Sequence, residues 1–228
     1  MKRLFMCALV LLLAGSALLW SATSGPFAAL SVLAWSAGDS GTVAGTTTTA
    51  ATGSLAAFGL NGPVTCRTTE PPTASPWLAI ARADAGKYQI DALAFEWKIW
   101  QESGFQVNVQ SSAGAIGIAQ FLPETARGMG IDPTDPKQAL DASARLDAGH
   151  ITNYASRARQ LAGHFDGSAA RYGEALALAA YNAGPGALES AWRAVFSGAW
   201  PASPWAWLAA MAPETQRYVP DILGCSTH

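Results

Sequence analysis

The chain opens with an apolar run from Leu4 to Trp20, broken only by Gly15 and Ser16 and preceded by Lys2 and Arg3. A second apolar patch follows at Phe27 to Trp35. From about residue 37 to 76 no hydrophobic period holds. Gly, Ser, Thr, Ala and Pro dominate there, with Thr46-Thr47-Thr48-Thr49 and Pro71-Pro72 as landmarks. Such a stretch buries too little apolar surface to offset its ordering entropy and reads as a linker. Beyond Pro76 the period becomes helical. Ile90, Leu93, Trp97 and Trp100 step by three, four and three, so they line one stripe of a helix. Asp91 in the first turn suits that helix's positive end. The spacing predicts further helices over roughly 139–163, 168–182, 184–196 and 213–223. Asp135-Pro136 marks a start and Gly184-Pro185-Gly186 separates two of them. No run alternates with period two for long enough to make a strand. The stretch after Ser103, with Gly104, Gly114 and Gly117, is the least regular part. The pattern predicts an all-α domain with one Gly-rich internal loop.

Composition sharpens this division. The 228 residues suffice for one domain with a hydrophobic core, or for one domain plus a tail. Hydrophobic residues make up 50% and charged residues 13%, against a usual charged fraction of about 25%. With nine Trp, this is neither a solvated disordered chain nor a coiled coil. Between Leu4 and Cys66 the one charged side chain is Asp39, so the folding information lies in the second part. We divide the chain into a signal or anchor over 1–36, a linker over 37–75 and a domain over 76–228. The net charge of −2 gives no electrostatic reason to expect nucleic acid as a partner.

The basic start, apolar core and small residues Ser21-Ala22-Thr23 fit a cleaved secretory signal. The same run, close to a span of about 20 residues and followed by a second patch, also fits a retained membrane anchor. Under both readings the rest of the chain is exported, because positive charge stays on the cytoplasmic side. Cys7 lies too early in the run to be a lipid-modified cysteine. Cys66 and Cys225 then flank the domain, in a compartment where disulfides persist. A bond between them would be worth ~4–5 kcal/mol in the chain-entropy model; two free thiols in flexible ends is the other reading. His150, His164 and His228 have no metal-ligand spacing, and no CxxC exists, so no zinc site is expected.

The Trp-rich helix ends in Gln101-Glu102-Ser103-Gly104-Phe105. Desolvation by aromatic neighbours and the negative end of the helix dipole both favour a protonated Glu102. A carboxyl held protonated near neutral pH is what a general acid needs. Position alone is equally compatible with a solvated Glu closing a helix.

The residues around it resemble the lytic transglycosylases of the soluble Slt type, relatives of the goose-type lysozymes. The likeness runs through Glu102-Ser103-Gly104-Phe105, then Ser111-Ser112-Ala113-Gly114-Ala115-Ile116-Gly117-Ile118-Ala119-Gln120, then Pro123-Glu124-Thr125-Ala126. It continues at Ala180-Tyr181-Asn182-Ala183-Gly184 and at Glu214-Thr215 with Tyr218-Val219, covering about residues 75–224. The resemblance implies a lysozyme-like helical domain that cleaves the β-1,4 bond between N-acetylmuramic acid and N-acetylglucosamine in peptidoglycan. It implies Glu102 as the single acid/base, Ser111 beside it, and Gln120, Tyr181, Asn182, Glu214 and Tyr218 along the substrate groove. Ile118-Ala119 departs from the family's usual Leu-Met and puts one sugar-packing contact in doubt.

Ordinary glycosidases use two carboxylates, and no second acid stands between Ser103 and Pro123. In the scheme the resemblance implies, Glu102 protonates the glycosidic oxygen and then deprotonates the muramyl 6-hydroxyl, which closes a 1,6-anhydro ring. Glu96, Glu124 and Glu214 remain as partners for a hydrolytic muramidase on the same fold, and a glycan-binding wall component with little turnover is a third reading. The chemistry needs no metal or organic cofactor. The implied partner is peptidoglycan, with the membrane added if the first segment is retained; small size and a tether would also suit local wall opening for an envelope-spanning secretion or conjugation apparatus, a role the sequence does not establish. Trp192, Trp200, Trp205 and Trp207 are expected in the core or a lid, with one near the cleft. Arg145, Arg157, Arg159 and Arg171 read as solvated helix faces.

Overall fold

The computed structural model describes residues 64–225, so the signal or anchor, most of the linker and His228 lie outside the described residues. Among the described residues eight helices follow in order: α1 (Trp77–Tyr88), α2 (Ala92–Ser103), α3 (Pro123–Met129), α4 (Pro136–His164), α5 (Ala169–Ala183), α6 (Pro185–Phe196), α7 (Ala206–Ala209) and α8 (Pro213–Leu223). Among the described residues there is no strand, only two isolated bridges, Gln110 with Ile116 and Ile116 with Phe121. The domain is all-α.

Local chemistry sets the boundaries. Asp135 caps α4 by accepting from the backbone N–H groups of Lys137 and Gln138, and Pro136 supplies the first helical residue. Ser168 caps α5 through Arg171 N–H. Gly184 stands between α5 and α6, where Pro185 starts afresh. Asp91 is the cap of α2, accepting from Ala94 N–H, rather than a first-turn residue. Two short helices, α3 and α7, arise where the hydrophobic period gives no signal.

The 29 residues of α4 pack along α5, and α1 lies against α2 and α4. α8 closes the bundle by touching α2 and α5. The centre is made by α5, where every residue from Tyr172 to Ala180 is buried. Here the sequence reading of α2 needs correction. Leu93, Trp97 and Trp100 are only half-buried, and the buried face instead runs through Ala94, Phe95, Lys98 and Ile99. A lysine on the inner face breaks the apolar stripe, so the Trp pattern pointed one step round the helix.

Residues 64–75, which composition assigns to the linker, pack against the helical body. Val64 is buried in the core, Trp97 Nε1–H donates to Thr69 C=O at 2.8 Å, and Arg82 pairs with Glu70 at 2.5 Å. Cys66 is bonded to Cys225 across a sequence separation of 159. A closure of that length is worth about 5 kcal/mol through loss of unfolded-chain entropy. Beside it, Cys66 N–H donates to Leu223 C=O at 2.8 Å, and Arg67 Nε–H donates to Ile222 C=O at 2.9 Å. Arg67 also donates to Asp221 C=O, so one guanidinium covers the unpaired carbonyls at the negative end of α8. Gly224 follows with φ +64°, and a Cβ there would stand 2.5 Å from Arg67 Cγ. This strap ties the segment before α1 to the end of α8.

Candidate active site

Glu102 occupies the last turn of α2, and Gly104 ends the helix in the left-handed region. The chain then forms a loop from Phe105 to Phe121, anchored at several points. Ser103 Oγ–H donates to Ile118 C=O at 2.7 Å. Tyr181 O–H, on α5, donates to Ala119 C=O at 2.7 Å. Gly117, at φ +76°, passes so close to the start of α4 that a Cβ would lie 2.1 Å from Pro133 O. No other residue fits that crossing. Phe105 and Gln120, both non-glycine, take positive φ at the two ends of the loop. Such strain persists only where the surroundings impose it.

Against this frame α8 brings Tyr218, whose hydroxyl donates to Glu102 Oε1. Tyr218 is 5% exposed, while Glu102 is half-buried. Burial pushes the Glu102 carboxyl up to about 7. The Tyr218 hydrogen bond and the Lys98 cation oppose that rise, and the Asp147 and Glu214 charges add to it. A carboxyl so placed is half-protonated near neutrality, the condition for giving and taking one proton in a single cycle.

The other sequence-predicted residues fall into two groups. Tyr181, Asn182, Glu214 and Tyr218 come together at the meeting of α5 and α8. Asn182 Oδ1 accepts from the buried Thr215 hydroxyl at 2.7 Å, which locks the two helix ends together. Glu214 lies half-buried in the first turn of α8. Ser111 and Gln120 each bond within the loop. Ser111 Oγ accepts from Ala115 N–H at 3.0 Å, and Gln120 Nε2–H donates to Gly117 C=O at 2.8 Å. Ile118 and Ala119 are buried core residues, so their departure from Leu-Met repacks the loop's underside. Glu96 is buried and bonded to Arg82 at 2.7 Å, and Glu124 is exposed at the start of α3.

The sequence reading missed the polar layer beneath the cleft. Lys98 is fully buried, 2.7 Å from both carboxylate oxygens of Asp147 and 2.8 Å from Ser143 Oγ. Its Nζ stands 3.2 Å from the centroid of the Tyr181 ring. Glu174, also buried, has its pKa raised well above the usual carboxylate range by desolvation first and by Asp147 second. One signal was available: a lysine four residues before Glu102, inside an aromatic helix. Among the described residues no group of His, Cys, Asp and Glu is arranged to hold a metal.

The helical domain thus sets Glu102, held by Tyr218, above a buried charged layer. Residues 79–199 match the family model of the transglycosylase SLT domain, more than half of the chain, and the chain belongs to that family. Among solved structures it is similar to an inactive mutant of the lytic transglycosylase Slt from Pseudomonas aeruginosa, with 24% identity and a TM-score of 0.42. That match covers 66% of this chain and 23% of the other, so the chain spans less than a quarter of that protein.

Proposed function

We propose that the protein is a peptidoglycan lytic transglycosylase in which Glu102 alone acts as acid and then base. The observation that carries this reading is the Glu102 carboxyl, raised by burial to about 7 and held by Tyr218. In the first step Glu102 gives its proton to the oxygen between N-acetylmuramic acid and N-acetylglucosamine, and the glycosidic bond breaks. The resulting carboxylate then takes the proton of the muramyl 6-hydroxyl as that oxygen bonds to the anomeric carbon. One proton leaves and one returns, so the enzyme ends as it began and water is not consumed. Glu102 sits at a pKa suited to both halves of this cycle.

A hydrolytic reading is favoured by one observation. The Glu214 charge is among those that raise Glu102, and a hydrolase would use Glu214 as the second carboxylate. The bond between Cys66 and Cys225 and the basic, apolar start support an exported, cell-envelope location, where the tethered or secreted domain meets glycan strands. A role in local wall opening for an envelope-spanning apparatus fits that location.

The test is mass spectrometry of muropeptides released from purified peptidoglycan by the full chain, with Glu102→Gln beside it. Anhydro products, lighter by one water than reducing muropeptides, are expected from the wild type. The variant should release them about 10²–10⁴-fold more slowly. Reducing ends would replace this mechanism with hydrolysis involving Glu214.

A further inference from the structure

Lys98 lies one helical turn before Glu102 on α2, with none of its surface exposed. An ammonium stripped of water needs acceptors for its N–H bonds. Asp147 Oδ1 and Oδ2 and Ser143 Oγ supply them. With its oxygen accepting from Lys98, Ser143 turns its own hydrogen toward Tyr181 Oη, 3.3 Å away. Tyr181 in turn donates to Ala119 C=O. A chain that starts at a pure donor and ends at a pure acceptor has only one direction, and each bond polarises the next. The cation over the Tyr181 ring holds the same side chain from its face.

Building on the reading of Glu102 as the acid, we propose that Lys98 is a positioning residue of this site. It orders a one-way hydrogen-bond chain through Ser143 and Tyr181 that fixes the Ala119 end of the cleft loop, and it keeps a positive charge one turn behind the acid. The groups facing Glu102 are Lys98 on its own helix, Asp147 on α4, Tyr181 on α5, and Glu214 and Tyr218 on α8. Glu174 on α5 and His150 on α4 face Lys98. From α1, Arg82 is taken up by Glu70 and Glu96. His150 is pushed down to about 4 by burial and by Lys98, so it stays neutral while Glu102 titrates. Lys98 is the cation of this set that favours the Glu102 carboxylate. Its loss raises the pH at which Glu102 gives up its proton and extends activity to higher pH.

Two variants of the full chain separate the halves of the proposal. Lys98→Met with Asp147→Asn replaces the buried pair by neutral side chains of similar size, a change that folds tolerate better than loss of one partner. Ser143→Ala keeps the charge and cuts the chain. For each, kcat/KM is followed against pH on soluble glycan strands. The Glu102 carboxyl is titrated by carbon-13 NMR, its signal assigned by its loss in Glu102→Gln. The double variant loses the Lys98 cation and the weaker, opposing Asp147 charge together, so both the basic limb and the NMR midpoint should move up by only the difference, about 0.3 pH unit. In Ser143→Ala both should stay in place while KM rises several-fold. A folded double variant with an unmoved midpoint overturns the electrostatic half, and an unchanged KM in Ser143→Ala overturns the positioning half. If the double variant does not fold, Ser143→Ala still decides whether Lys98 acts through the chain. A wild type that titrates as described yet releases no glycan product overturns the proposed function, and the NMR midpoints still judge the electrostatic half of the Lys98 inference.

Discussion

The two halves of α4 face two different solutions to carrying charge. Its first half gives Ser143, Asp147 and His150 to the layer beneath Glu102, where they are buried around Lys98. Its second half gives Arg157 and His164 to an aromatic cluster with Trp192, Phe196 and Trp200. There the charges stay wet: Glu189 bonds Arg157 at 2.5 Å and Arg193 at 2.9 Å, with Arg193 largely exposed. The guanidinium of Arg157 also lies 4.8 Å from the Trp192 ring, so the sequence reading of Arg157 as a solvated face is only half right. The difference teaches where stability is sacrificed. Beneath Glu102 the charged pair is fully buried, whereas at the far end the ion pairs keep some water contact and only Arg157 Nη1 is buried without a partner.

Removing one partner at each end tests this most severely. Asp147→Ala leaves the Lys98 ammonium buried without its counter-charge and should cost about 3–5 kcal/mol in chemical denaturation. Glu189→Ala breaks two partly exposed pairs and should cost no more than about 1 kcal/mol. Equal losses would mean that the cleft layer is no more desolvated than the surface.

Glu102 itself gives the next effect. Its folded pKa, about 7, stands above its ordinary value of 4.5, so the folded state holds the proton more tightly than the unfolded chain. The stability this group contributes is complete below pH 4.5 and is lost as pH rises through 7. Glu102→Gln removes the ionisation cost. The variant should match the wild type near pH 4 and exceed it by about 1–3 kcal/mol at pH 8. A stability difference independent of pH would show that Glu102 titrates like a solvated carboxylate. The expected gain at the expense of activity is the usual signature of a site whose strain serves function.

How much of this was legible in the sequence follows the same division. The four helices read from apolar spacing in the second part of the domain appear within a few residues of their expected bounds, because caps and breakers such as Asp135, Ser168 and Gly184 act locally. That Tyr181, Asn182 and Tyr218 belong with Glu102 was an expectation from family resemblance, not from periodicity; the structure gathers them where α5 meets α8. Lys98 and Asp147 were not legible, because a buried pair consists of two residues that each look solvated until the fold brings them together across 49 positions. Ser111 and Gln120 carry a second role that the sequence does not display, since each also bonds a backbone group of its own loop. The strap from Thr65 to Glu70 was hidden by linker-like composition, and its anchors are backbone carbonyls of α8 that no composition records.

The smallest expected effect lies at the aromatic end. Trp200 is 39% exposed, stacked on His164 with ring centroids 4.3 Å apart, and meets Phe165 and Phe196 edge-on. Its neighbours use the ring faces for packing, so Trp200→Ala should cost about 1 kcal/mol of stability. Thirteen residues of α4 separate Asp147 from Gln160 beside this cluster, about 20 Å of helix. At that distance the substitution should leave both the rate of glycan release and its pH profile unchanged. Co-sedimentation with insoluble peptidoglycan, measured on Glu102→Gln to prevent turnover, completes the comparison. Unchanged binding after Trp200→Ala keeps the aromatic end structural. Weakened binding would make the exposed indole face a sugar platform, and the two halves of α4 would then both belong to substrate recognition.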